Sequence, residues 1–114
     1  MSLLGTLGLF SAFGCQRESA DSTQGGSDAK SARQGEREFT MRCASCHARG
    51  RAANGPSLEE IASLHRADPE GIVRWARSPG RKREQFPPMP SFRHLSEQDL
   101  RAIAAHMVKA GGEP

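Results

Sequence analysis

The apolar positions of this chain change rhythm several times, and each change marks an element. Leu3 to Phe13 is an apolar run with small residues, followed from Gln16 to Ser31 by a stretch of Ser, Gly, Asp and Gln with almost nothing apolar. From Ala32 to Arg42 the spacing becomes helical, with Phe39, Cys43 and Cys46 in register. Gly35 costs such a helix ~1 kcal/mol against Ala, which makes sense where a second helix must approach closely. Residues 48–56 have no period and read as a loop around Gly50 and Gly55-Pro56. Ser57 to Leu64 is a short helix with Ser57 and Glu60 as a capping box. Asp68-Pro69-Glu70 opens another helix, with Asp68 as cap and Ile72, Trp75 and Ala76 as its apolar face, ended by Ser78-Pro79.

Pro79 to Phe92 contains Phe86-Pro87-Pro88-Met89-Pro90, and so many prolines exclude a helix or a central strand. The last element, Leu95 to Lys109, carries Leu100, Ile103, Ala104, Met107 and Val108 at i, i+3, i+4, i+7 and i+8. Ser96 caps it, Asp99 completes the box, Leu95 staples to Leu100, and Gly111 ends it. Its stripe needs a partner, and the first helix with Gly35 and Phe39 is the natural one.

Composition limits what these helices can enclose. Of 114 residues, 36% are apolar and 5% aromatic, with no Tyr, so one small domain with a small protein core is expected. A bulky apolar cofactor would supply what such a core lacks. The formal charge of +3 is too modest to argue for nucleic acid, and no nucleic-acid motif accompanies it. Three cysteines are an odd number, which argues against a disulfide framework.

Cys43-Ala44-Ser45-Cys46-His47 carries the chemistry. C-x-x-C-H is the attachment signature of a c-type haem. Two thiols three residues apart fall near one face of a helical turn, from which they can form thioethers with two vinyl groups on a porphyrin edge. His47 can then give an imidazole nitrogen to the iron. A redox dithiol is an alternative, but it usually comes with a βαβ pattern. A zinc site would want further ligands at matching spacing, and His65, His94 and His106 are scattered.

A haem-ligating His commonly donates its other ring N–H to a backbone carbonyl, and Pro56 suits that role. Met89, held in a stiff loop well downstream of His47, is the expected second ligand, with His94 the alternative. Met41 and Met107, on helices, read as core filler. The lone Trp75 needs a partner for its N–H, a haem propionate or a backbone carbonyl. Arg74, Arg77, Arg81, Lys82 and Arg83 form a basic cluster that could steer an acidic partner or simply face solvent.

Residues 1–15 read as an export signal. The apolar run is too short to span a bilayer, and Gly14-Cys15 after it resembles the lipobox of bacterial lipoproteins, in which the cysteine receives lipid. Ala12 stands where that pattern prefers Leu, and no Lys or Arg precedes the run. Ordinary export and a free buried Cys15 are the alternatives. Residues 16–31 would be a flexible tether, and 32–112 the domain.

That domain resembles a class I cytochrome c. The resemblance rests on Gly35 and Phe39, the Cys43–His47 motif, Gly55-Pro56-Ser57-Leu58, Met89-Pro90, and Leu95-Ser96 opening the last helix. It implies an all-α fold of four or five short helices around one covalent haem, the first and last helices crossing. Cys43 and Cys46 would bind the haem, with His47 and Met89 as axial ligands. Where this family usually has an aromatic residue on the last helix, the chain has His106, which predicts a looser helix contact. The implied function is single-electron transfer to redox partner proteins, by a carrier and not a catalyst, on the periplasmic side of a membrane. A haem enzyme or gas sensor would instead need a displaceable distal ligand.

Overall fold

The computed structural model describes residues 21–114 of the chain. Within them are four α-helices and no strand: α1 (Asp21–Arg42), α2 (Leu58–His65), α3 (Glu70–Arg77) and α4 (Glu97–Gly112). The expected export signal and Cys15 lie outside the described residues.

α4 is the hub. Its apolar stripe buries Leu100, Ile103, Ala104 and Met107, and it packs on each of the other three helices. Two glycines make this possible. A Cβ on Gly35 would lie 2.7 Å from the carbonyl carbon of Ala102, so only glycine lets α1 cross α4 at that point. A Cβ on Gly111 would lie 2.6 Å from the Cβ of Ala62, so the tail of α4 needs its own glycine against α2. Gly111 therefore sits inside α4 as a contact and not beyond it as a terminator; the helix runs on to Gly112.

α1 begins at Asp21, where the apolar rhythm predicts Ala32. The added turns belong to the segment expected to be a flexible tether, and the side chains from Gly25 to Arg33 are all exposed. With no buried face there is no periodic signal to read. Phe39 is buried, but Met41 is 62% exposed, against the expectation of core filler. At about 100° per residue, two positions on from Phe39 is the far side of the helix.

The start signals of α2 and α4 are half as predicted. Ser57 Oγ accepts the Glu60 amide at 3.2 Å, and Ser96 Oγ accepts the Asp99 amide at 3.0 Å. The carboxylates do not reach back. Glu60 pairs with Arg83 in the proline-rich loop, and Asp99 accepts from Gln34 on α1. Asp68 likewise pairs with Arg74 instead of capping α3 with its side chain.

The core is small and open. Even Leu100 keeps 2% of its surface, and no large side chain among the described residues is completely enclosed. Leu64 is 66% exposed although it lines a central cavity, so the apolar interior continues into a space that protein does not fill.

Candidate functional site

The cysteine motif prolongs α1 by one irregular turn. The Cys43 and Ala44 amides both donate to Phe39 O, at 2.8 and 3.0 Å, and the Cys46 and His47 amides both donate to Cys43 O, at 3.1 and 2.9 Å. Backbone turn geometry thus points Cys43, Cys46 and His47 to one cavity of about 610 Å³. That volume lies within the range of cofactor sites.

His47 is the buried polar residue of the interior, 9% exposed. Its Nδ1 lies 3.0 Å from Pro56 O. A carbonyl can only accept, so the proton sits on Nδ1 and the lone pair of Nε2 is left for a metal. Gly55 is required beside it, since a Cβ there would stand 2.6 Å from His47 Cε1. The loop carrying Gly55-Pro56 is closed by Leu58 N–H to Ala48 O at 3.1 Å and by Gly50 N–H to Glu59 Oε2 at 2.9 Å. Gly50 takes φ +76°, a conformation that favours glycine.

Met89 lines the same cavity, half-buried, from the proline-rich loop. Trp75 and Pro56 line it too, with Ile61, Ile72, Leu100, Ile103 and Met107 as apolar wall. His94 does not; it is exposed and stacks on Phe92, ring centroids 5.9 Å apart. His106 packs on Phe39 at 5.1 Å, on the α1–α4 crossing, so the imidazole takes the place of the aromatic ring and the contact is made. Asn54 escaped the sequence reading and His65 entered it only as a scattered histidine; neither carries a motif, and the fold brings both to the cavity.

Charge around the cavity has one sign. Arg42, Arg74, Arg81, Lys82 and Arg83 line it, and no Asp or Glu does. Of the predicted basic cluster, Arg74 and Arg83 are ion-paired with Asp68 and Glu60. Arg81 donates to Glu84 O, and Lys82 Nζ lies 5.0 Å over the Trp75 ring. Burial pushes the Cys43 thiol up to about 11. A redox dithiol works through an activated thiolate, so this environment opposes that reading. Zinc fares no better: among the described residues no three Cys, His, Asp or Glu gather as a ligand set.

Comparison with known proteins points the same way. Residues 30–107 match the family described as "Cytochrome C oxidase, cbb3-type, subunit III". The chain is also similar to Photosystem II extrinsic protein V of Thermosynechococcus vestitus and of Thermostichus vulcanus, 33% identical over 93 residues in each case. The match covers 66% of this chain, which spans about 57% of the length of either relative. No solved structure matches the chain.

Proposed function

The chain belongs to the c-type cytochromes, all-α proteins that carry a covalently bound haem c, and from that premise we propose that it is a one-electron carrier with His47 and Met89 as axial ligands and Cys43 and Cys46 as the attachment points. One observation carries the reading: these four side chains, from two distant segments, line a single apolar cavity.

The residues present suit such a group. Two thiols, an imidazole whose Nδ1 is already committed to Pro56 O, a thioether and an apolar wall are what covalent haem with His/Met ligation requires. Leu64, left exposed on the wall, gains a partner. Bound there, the haem supplies an Fe(II)/Fe(III) couple. The protein's part is to hold it and tune it. Pro56 keeps the His47 ring plane and tautomer fixed. The Met89 thioether would favour Fe(II) and so raise the potential. Ile61, Ile72, Leu100 and Ile103 keep water from the interior, and the cations of the rim suit the haem carboxylates. Held by both His47 and Met89, the group would offer a substrate no coordination site, which favours a carrier over an enzyme or gas sensor.

The decisive experiment is an optical spectrum of protein matured with haem. Unmodified protein should show the far-red sulfur–iron band. Met89→Ala should abolish it and lower the potential; a band that persists in that variant rules Met89 out as the ligand.

Two finer readings belong with this one. Arg77, Arg81 and Lys82, which make no ion pair with the described residues, would steer an acidic redox partner toward the cavity mouth. Cys15, after its apolar run, would carry lipid and hold an exported domain at the periplasmic face of a bacterial membrane. No helix of the described residues is long and apolar enough to cross a membrane. Cys15→Ala should move the haem-loaded protein from the membrane fraction to the soluble one; unmodified protein already soluble in its host would leave export without the anchor.

A further inference from the structure

Met89 reaches the cavity from a loop that has no helix or strand of its own, so something else must hold it. α3 supplies the hold. Its last carbonyls lack intrahelical partners, as at any helix end, and the chain just past Met89 takes two of them. Phe92 N–H donates to Ala76 O at 2.8 Å. Ser91 Oγ donates to Arg77 O at 2.7 Å, and Arg93 Nε donates to the same oxygen at 3.0 Å. Arg93 Nη2 extends to Ser78 Oγ at 3.4 Å. The guanidinium also lies at the negative end of the helix dipole, where a cation is favoured.

Three consecutive residues are therefore fastened to a helix whose other face, Ile72, Val73 and Ala76, is part of the core. Pro90 lies between this clasp and Met89. Its ring fixes its own φ and restricts the backbone of the residue before it, which is Met89. A shift of the clasp is thus passed to the thioether with little slack. On the other side of Met89 the nearest hold is the Arg83–Glu60 pair, with four uncharged residues, Gln85 to Pro88, and Glu84 between.

We propose that Ser91 and Arg93 are positioning residues for Met89: by closing the C-terminal end of α3 they keep the thioether at the iron, and with it the sixth site closed to outside ligands. This rests on Met89 being the ligand. The consequence is specific, since the clasp sets the occupancy of the sixth site and not the attachment of the haem, which lies with Cys43 and Cys46.

The test compares unmodified, full-length, haem-loaded protein with S91A/R93Q, using imidazole as the probe ligand. The variant should keep its covalent haem and bind imidazole more tightly by on the order of tenfold, the equivalent of losing one charge-assisted hydrogen bond. Its far-red sulfur–iron band should weaken at lower temperature than in the parent, and the Phe92 amide should exchange faster. Arg93→Lys alone, which keeps the cation at the helix end, should recover most of the parent's resistance to imidazole. Arg37→Gln, exposed on α1 and outside the ion pairs of the described residues, should change nothing. Equal imidazole affinity in S91A/R93Q and parent overturns the clasp, as does a gain in affinity matched by Arg37→Gln, which would report a general effect of lost charge. If the parent itself lacks the sulfur–iron band, the His47/Met89 ligation is what fails, and the clasp falls with it.

Discussion

His47 and Met89 face the same cavity but are held in different ways. His47 is buried, comes from a motif continuous with α1, and has its second nitrogen bonded to a neighbouring backbone carbonyl. Met89 is half-buried, comes from an irregular loop, and depends on exposed contacts to α2 and α3. His47 is placed by close packing against Gly55, where no Cβ would fit. Met89 is placed by hydrogen bonds that water can compete for. Local stability should follow this division, with the Met89 side opening first.

The largest expected effect falls on the His47 side. Gly55→Ala forces a Cβ against the imidazole and should cost ~1–3 kcal/mol in urea unfolding, with a lower yield of covalent haem. Gln85→Ala, exposed in the Met89 loop, should stay within about 0.5 kcal/mol. Equal losses at the two positions would erase the contrast between the two sides.

A smaller effect concerns the α1–α4 crossing. Burial against Phe39 holds the His106 imidazole below its ordinary pKa of 6.5, with Lys109 adding to this while Glu36 and Glu113 oppose it. A histidine with a depressed folded pKa favours the fold while neutral. Its contribution is thus complete above about 6.5 and lost as pH falls through the lower folded value. Asp28 and Arg33 line the same groove and contribute background charge. His106→Phe should remove that part of the acid-side decline in thermal midpoint; an unchanged slope would assign it to other groups.

The smallest effect is kinetic. If Arg77, Arg81 and Lys82 steer an acidic partner, the rate of electron exchange should fall steeply with salt, the Debye length shrinking from ~10 Å at 0.1 M to about 3 Å at 1 M. Charge reversal of Arg81 and Lys82 should flatten that dependence. A rate indifferent to salt in the parent would turn attention to an apolar contact around Phe86 and its prolines.

The two sides also differ in how far they could be read in advance. Cys43, Cys46, His47 and the Gly55-Pro56 pair are close in sequence and have few uses, so their grouping around one cavity was legible. Met89 was legible only as a methionine among prolines, and the hydrogen bonds that hold its loop were not, because Ser91 and Arg93 bond to helix-end carbonyls that no residue pattern announces. The apolar stripe of α4 foretold Leu100, Ile103 and Met107 in the core. It could not foretell the turns of α1 from Gly25 to Ser31, whose side chains are all exposed. Gly111 misled for a simple reason: glycine suits both a helix end and a close helix contact, and only the position of Ala62 decides between them.

The redirected carboxylates of Glu60 and Asp99 bear on how the chain folds. In a complete capping box a helix finishes its own first turn, independent of the rest of the molecule. Here each helix start keeps the serine bond and lends its acid to a distant segment, α2 to the Met89 loop and α4 to α1. Neither start is finished until its long-range partner arrives. Helix initiation is thereby made conditional on assembly, which discourages isolated helices and couples the beginning of α2 to the closure of the loop that carries Met89.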